Sequence, residues 1–188
     1  MDIVLASASP RRQELLRQVG VQFRVIPSNV DERVEAPMTP GDMVEHLALS
    51  KALDVAVRVP AALVLGADTI VVVDDEILNK PAHRADAISM LERLSGRTHQ
   101  VMTGVALVGP DRRLVGHEVT SVRFRPLSAG EIERYVDSGE PMDKAGAYGI
   151  QGRAAAMIEG ISGDYFTVVG LPICRTVQML STFGVNVL

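Results

Sequence analysis

With 188 residues, 47% of them hydrophobic and 22% charged, the chain has the make-up of one soluble globular domain, far from disordered or fibrous compositions. A net charge of −4, 4% aromatic residues and the lack of any Lys/Arg block leave no electrostatic footprint for a nucleic-acid partner, and no apolar run approaches the ~20 residues that span a bilayer. A single cysteine, Cys174, excludes an internal disulfide and a multi-cysteine zinc site. Together with an opening, Met1-Asp2-Ile3-Val4-Leu5, that lacks a basic segment followed by a long apolar one, it points to the cytoplasm.

Ile3 to Ala6 reads as a strand, and Ser7-Ala8-Ser9-Pro10 leads into a helix with Leu15, Leu16 and Val19 on one face and Gly20 as its stop. Phe23 to Ile26 is a second short strand that delivers the chain to a polar loop, Ser28 to Pro40, containing Asp31-Glu32-Arg33. Asp42 to Val57 predicts a long helix with Val44, Leu47, Ala48 and Val55 inward, and Lys51 falls on that apolar stripe. Leu63 to Val73 is a long β run; the turn residues Asp74-Asp75-Glu76 and the return Ile77-Leu78 predict a hairpin ending at Lys80-Pro81.

Residues 83–95 predict a helix with Ala85, Ile88, Leu91 and Leu94 inward and Gly96 as its stop. Two long strands follow, about Thr98 to Val108 and Leu114 to Arg125, the second alternating Val122 and Phe124 inward with Arg123 and Arg125 outward. Ser128 and Glu131 form a capping box that starts a short helix carrying Ile132, Tyr135 and Val136 and ending at Gly139. A glycine-rich stretch, Gly146 to Gly152, precedes strand-like runs near Ala154 to Ile158 and Tyr165 to Val169. The last helix runs from Leu171-Pro172 to Phe183, with Ile173, Val177 and Leu180 inward and Cys174 expected in the core. The order of elements is α/β with mixed α+β character, and the adjacent β runs in mid-chain argue for a mixed sheet.

Three features carry chemistry. Ser9 is a good N-cap and Pro10 suits the first helical position, which puts Arg11 and Arg12 in the first turn. Cations are disfavoured at that end unless an anion is present; a bound phosphate, met by backbone N–H groups, the hydroxyls of Ser7 and Ser9 and the guanidinium forks, resolves the conflict. Second, Asp68 interrupts a strand that should be buried, where an uncompensated charge is costly, and Gly66 upstream marks a bulge or a close backbone approach. Third, Asp31-Glu32, Lys51 and Lys80 supply both signs of charge that a metal-phosphate site needs. Only three of the 19 basic residues are lysines, at positions 51, 80 and 144. A P-loop, a G-x-G-x-x-G fingerprint, an H-E-x-x-H and a G-x-S-x-G are all missing, and His46, His83, His99 and His117 are scattered along the chain.

Through Ser7-Ala8-Ser9-Pro10-Arg11-Arg12-Gln13-Glu14-Leu15-Leu16, Gly66-Ala67-Asp68-Thr69, Lys80-Pro81 and the run from Asp143 to Gly152, nearly the whole chain resembles the Maf family of nucleoside triphosphate pyrophosphatases. The Asp-Lys-Ala-Gly-Ala-Tyr-Gly-Ile-Gln-Gly run resembles the branch acting on dTTP and UTP. The resemblance implies one domain over residues 1–188, two-lobed, with an elongated mixed β-sheet flanked by helices and a central cleft. It implies hydrolysis between the α- and β-phosphates to a nucleoside monophosphate and pyrophosphate, with a divalent cation, Mg²⁺ or Mn²⁺. It casts Asp68 as the proton acceptor, with Glu32, Lys51 and Lys80 lining the same cleft, and Arg11, Thr69 and Gln151 at positions tied to substrate choice. Asp68 and Glu32 are the candidate metal ligands, and Ser7, Ser9, Arg11 and Arg12 the phosphate binders. Gln151 also fits chemically, because one amide offers a donor and an acceptor to the O4 and N3–H of uracil or thymine. The alternatives are a nucleotide-sensing regulator of cell division, a 7-methyl-GTP enzyme, or a broad house-cleaning pyrophosphatase. Whether the chain pairs as a homodimer is left open.

Overall fold

The computed structural model describes residues 1–31 and 37–187. In chain order the elements are β1 (Ile3–Leu5), α1 (Pro10–Gln18), β2 (Arg24–Val25), α2 (Pro40–Ala56), β3 (Leu63–Val73), β4 (Glu76–Leu78), α3 (Arg84–Leu94), β5 (Thr98–Val108), β6 (Arg113–Phe124), α4 (Ala129–Asp137), β7 (Ile158–Ser162), α5 (Tyr165–Val169) and α6 (Ile173–Thr182). Short 3₁₀ turns occupy Glu140–Asp143, Ala145–Ala147 and Arg153–Met157. Among the described residues seven strands hydrogen-bond in the order β2-β1-β3-β5-β6-β7, with β4 also on β3. β1 runs parallel to β2 and β3, whereas β3–β4 and β6–β7 are antiparallel, so the sheet is mixed as expected.

The chain resolves into two compact units, and β3, β5 and β6 each contribute residues to both. The first comprises Met1–Asp68, Thr103–Glu118 and Gly170–Leu188. Its core joins Val4, Val64 and Ala106 from strands, and Ala6 just past β1, to Ala48, Ala52 and Val55 of α2. Both α1 and α2 start on a capped proline turn: Ser9 and Thr39 are the N-caps and Pro10 and Pro40 follow them. Thr39 Oγ1 accepts from the Asp42 amide at 3.2 Å, so α2 begins two residues before the sequence-based start at Asp42. Two glycines let α2 sit on the sheet. A Cβ at Gly66 would lie 2.2 Å from the Ala48 carbonyl oxygen, and one at Gly104 would lie 2.2 Å from that of Val44. Gly66 therefore marks a close helix approach.

The second unit comprises Thr69–Met102 and Val119–Val169. Its β3–β4 hairpin turns on Asp74 and Asp75, both at positive φ (51° and 62°), the arrangement whose twist matches the flanking strands. The capping box of α4 is complete: Ser128 Oγ accepts from the Glu131 amide at 3.4 Å, and Glu131 Oε2 accepts from the Ser128 amide at 2.9 Å. The core gathers Val71, Leu91, Leu94, Val122, Phe124, Tyr135 and Tyr148.

Several expected elements differ. The run around Ala154 is a 3₁₀ turn, because three successive alanines offer no branched side chains to pack a pleat, and the strand follows it as β7. Tyr165–Val169, β-like in composition, is the helix α5. Asp164 Oδ2 accepts from the Thr167 amide (2.7 Å) and hydroxyl (2.8 Å), and this cap overrides propensity. In α3 Ala85 is exposed and Ala87 and Met90 are buried with Leu91 and Leu94. Cys174 is exposed, because the buried arc of α6 runs through Ile173, Thr176, Met179 and Leu180, and position 174 lies about 100° beyond it.

His99 sits at the centre of the second unit's aromatic cluster, packed edge-on against Phe124 and Tyr148. It is 2% exposed, its Nε2 is 2.8 Å from the Tyr148 hydroxyl, and its Nδ1 has no hydrogen-bond partner. Burial pushes its pKa down from 6.5 to about 4, so the ring is neutral in the folded protein at neutral pH. Between those values the unfolded chain binds a proton that the folded one does not, so stability falls as pH drops. The His99 contribution to that loss is about 3 kcal/mol between pH 6.5 and 4. Denaturant titrations across that range should show a shallower pH slope for His99→Gln than for the wild type; equal slopes would refute the assignment.

Candidate active site

The first turn of α1 is built on serines. Ser7, buried at the end of β1, accepts through Oγ from the Ser9 amide and from Arg12 Nη1, both at 3.2 Å. Ser9 Oγ caps the helix by accepting from the Arg12 amide at 3.5 Å. Arg12 Nε donates to the Gly170 carbonyl at 2.8 Å, which ties the turn to the start of the α6 segment. Arg12 thus spends two donors inside the protein, while its neighbour Arg11 is half-buried in the same first turn. The arrangement keeps the Arg12 guanidinium at the positive end of a helix, with Arg11 in the same turn, where an anionic ligand complements them.

The aspartate in the greasy strand and the lysine on the apolar stripe are partners. Lys51 Nζ lies 2.6 Å from Asp68 Oδ1, and the two side chains are only 12% and 10% exposed. Gly66 makes this reach short. It stands two residues before Asp68, on the same face of β3, and its missing side chain lets α2 close on the strand at Ala48 and Ala52, one turn and less from Lys51. A short charge-assisted bond of this kind fixes the carboxylate in direction.

The remaining candidates belong to the second unit. Thr69 is half-buried on β3, on the same face as Val71. Gly146, at φ 67°, packs over Val71, where a Cβ would come within 2.8 Å of its Cγ2. The Gly146 amide donates to the Asn79 carbonyl at 3.2 Å, so the glycine-rich loop is bonded to the residue before Lys80. Lys80 and Gln151 are both exposed. The glycine-rich loop that leads to Gln151 is therefore bonded to the segment that leads to Lys80. Glu32 lies outside the described residues.

A family model described as Maf-like protein matches residues 2–183. A dTTP/UTP pyrophosphatase of Symbiobacterium thermophilum is 66% identical over 182 residues, covering 97% of this chain and 94% of its own length. Proteins of the same name from Moorella thermoacetica and Desulforamulus reducens are 54% and 51% identical, each match covering 98% of this chain and 96% and 98% of their own lengths. The chain belongs to the Maf-like family. The resemblance read from its motifs is thereby shown.

In this Maf-like chain three side chains that hold the loop around Gln151 from outside it escaped sequence reasoning: Tyr135, Glu140 and Lys144. The Tyr135 hydroxyl accepts from the Gly149 amide at 3.2 Å and donates to Glu140 Oε1 at 3.0 Å; Glu140 Oε2 accepts from the Arg153 amide at 3.1 Å. Lys144 Nζ donates to the Glu140 carbonyl and to Asp143 Oδ1, each at 2.6 Å. Spacing gives no hint of these contacts; the only sequence signal is the rarity of lysine, which singles out Lys144 without naming its partner.

The buried pair sets a stability prediction. Replacing one partner strands the other charge, which costs about 3–5 kcal/mol, whereas neutralising both removes the conflict. Lys51→Met should lower unfolding stability by that amount, and the Lys51→Met/Asp68→Asn double variant should recover most of it in urea denaturation. A double variant as unstable as the single one would show that the pair is not coupled.

Proposed function

We propose that this Maf-like chain hydrolyses dTTP and UTP to the nucleoside monophosphate and pyrophosphate. The observation that carries the reading is the Lys51–Asp68 pair at 2.6 Å, a nearly buried carboxylate oriented by an ammonium, in a chain 66% identical to a dTTP/UTP pyrophosphatase. Water attacks the α-phosphorus in line; Asp68 accepts the proton, the bond to the α,β-bridging oxygen breaks, and pyrophosphate leaves with that electron pair. Lys51 holds the Asp68 carboxylate in place before attack. Arg11 and Arg12, with the α1 amides and the Ser7 and Ser9 hydroxyls, bind phosphate oxygens, and Lys80 offsets the charge gathering on the leaving group. Thr69 and Gln151 contact the nucleoside, the Gln151 amide matching the O4 acceptor and N3–H donor of a pyrimidine.

Among the described residues no three His, Cys, Asp or Glu side chains group in a way that holds a metal ion. Mg²⁺ and Mn²⁺ take oxygen ligands; the Lys51 ammonium 2.6 Å from Asp68 Oδ1 opposes a cation there, and the negative charge of a bound triphosphate would offset that repulsion. Asp68 would hold such an ion, with Glu32 as a second carboxylate, and the ion supplies charge neutralisation on the triphosphate. No helix among the described residues is long and apolar enough to cross a membrane. The reading places the enzyme in the cytoplasm, where its nucleotide substrates are and where a lone exposed thiol stays reduced.

Incubation with UTP or dTTP and Mg²⁺ in H₂¹⁸O should yield labelled UMP or dTMP and unlabelled pyrophosphate. Label in pyrophosphate, or release of UDP and phosphate, contradicts the bond assignment; intact UTP favours a sensor, and equal rates across a nucleotide panel favour a house-cleaning enzyme. Asp68→Asn should lower kcat by roughly 10²–10⁴-fold while leaving nucleotide binding measurable. An active Asp68→Asn enzyme would remove Asp68 from the reaction.

A further inference from the structure

The backbone from Gly149 to Arg153 is fastened at both ends to one carboxylate. Glu140 Oε2 accepts the Arg153 amide at 3.1 Å, and Glu140 Oε1 accepts the Tyr135 hydroxyl, whose oxygen in turn takes the Gly149 amide at 3.2 Å. Between these anchors the Gly152 amide donates to the Gly149 carbonyl at 3.0 Å, closing a tight turn with Ile150 and Gln151 at its tip. Both glycines are required by the same cradle. A Cβ at Gly152 would stand 2.1 Å from Glu140 Oε1, and one at Gly149 would stand 2.7 Å from Lys144 Cε. Lys144, its side chain 15% exposed, lies across Gly149 and returns its ammonium to the Glu140 carbonyl at 2.6 Å. Tyr135 is itself buried in the core, so the cradle stands on packed ground.

We infer that Glu140 is a positioning residue for base selection, holding the 149–153 turn so that Gln151 presents its amide in one fixed direction; this rests on the pyrimidine triphosphatase reading above. Gln151 is exposed, and an exposed amide on a loose turn presents donor and acceptor in either order and so cannot tell uracil from cytosine. A turn pinned at the amides before and after Gln151 lowers the ordering cost of binding and makes the hydrogen-bond pattern selective. Glu140 touches neither base nor phosphate in this scheme. It acts through the backbone that carries Gln151, much as an outer partner orients a metal ligand.

Glu140→Gln tests this with no change of size: the new amide group puts a donor against either the Arg153 amide or the Tyr135 hydroxyl. The expected result is a KM for UTP and dTTP raised roughly tenfold or more, kcat at saturation within about twofold, and a UTP-over-CTP preference in kcat/KM that shrinks by a similar factor. Hydrolysis of methyl triphosphate, which has no base to read, should stay at the wild-type rate. Tyr135→Phe removes the hydroxyl relay while keeping the buried ring, and should move the same two ratios in the same direction. In both variants hydrogen exchange should speed up at the Gly149 and Arg153 amides.

An unchanged UTP-over-CTP ratio in a folded Glu140→Gln enzyme, or an equal loss on methyl triphosphate and UTP, would overturn the inference. The exchange measurement separates this failure from that of the underlying reading. If the wild-type protein leaves UTP intact, the pyrophosphatase reading falls; unaltered exchange at 149 and 153 in Glu140→Gln would refute the anchoring whatever the substrate.

Discussion

The first unit is organised around the need to place a carboxylate in an apolar strand and give it a partner. A carboxylate buried without a partner is costly, and the chain offsets that cost by bringing Lys51 to 2.6 Å from an adjacent helix. That contact constrains much else. α2 must lie close enough for an ammonium on its surface to reach β3, so the strand carries Gly66 and β5 carries Gly104, each admitting helix backbone to where a side chain would stand. The helix in turn offers small residues, Ala48 and Ala52, at the approach. A buried pair of this kind contributes little net stability compared with apolar packing; its value lies in delivering a fixed carboxylate oxygen to a reaction.

How much of this could be read from the chain depends on the range of the physics involved. Asp68 in a β run and Lys51 on an apolar helical stripe are each visible as anomalies, because periodicity tells which face a residue occupies. Their pairing across 17 residues is not visible, because periodicity does not tell which neighbour that face meets. The Ser9–Pro10 start of α1 and the Ser128–Glu131 box are local hydrogen-bond patterns and were legible in full. α5 is instructive in the other direction. Its cap, Asp164 to Thr167, is as local as the others, yet the β-branched and aromatic residues of 165–169 spoke for a strand, and one side-chain cap outweighed them. Glu140 left no trace, since its contacts at Gly149 to Arg153 exist only once three short turns have folded.

Glycine serves two distinct purposes here. At 66 and 104 it admits a helix to a strand, which positions a charged side chain from another element. At 149 and 152 it admits side chains, the Lys144 stem and the Glu140 carboxylate, over the main chain, which positions the loop itself. The first arrangement makes Asp68 rigid through its partner, the second makes Gln151 directional through its backbone. Reaction and recognition are thus prepared by the same device, absence of a Cβ, applied to different approaching groups.

The division of labour between the two cationic residues follows from their geometry. Many arginines sit in exposed ion pairs, such as Arg24 with Asp2, Arg84 with Asp137 and Arg123 with Glu159, where both partners are roughly half exposed and screening leaves little net gain. Arg12 is different, because its planar fork ties a helix start to Gly170 and Ser7 at once. Two of the three lysines, at 51 and 144, instead bury most of their length, and each ends on oxygen at 2.6 Å. An unbranched stem with a compact tip passes over a glycine or along a helix into a gap that a guanidinium would not enter. At 51 and 144, in a chain that otherwise uses arginine for most of its positive charge, lysine therefore carries the charge through packed structure to reach oxygen.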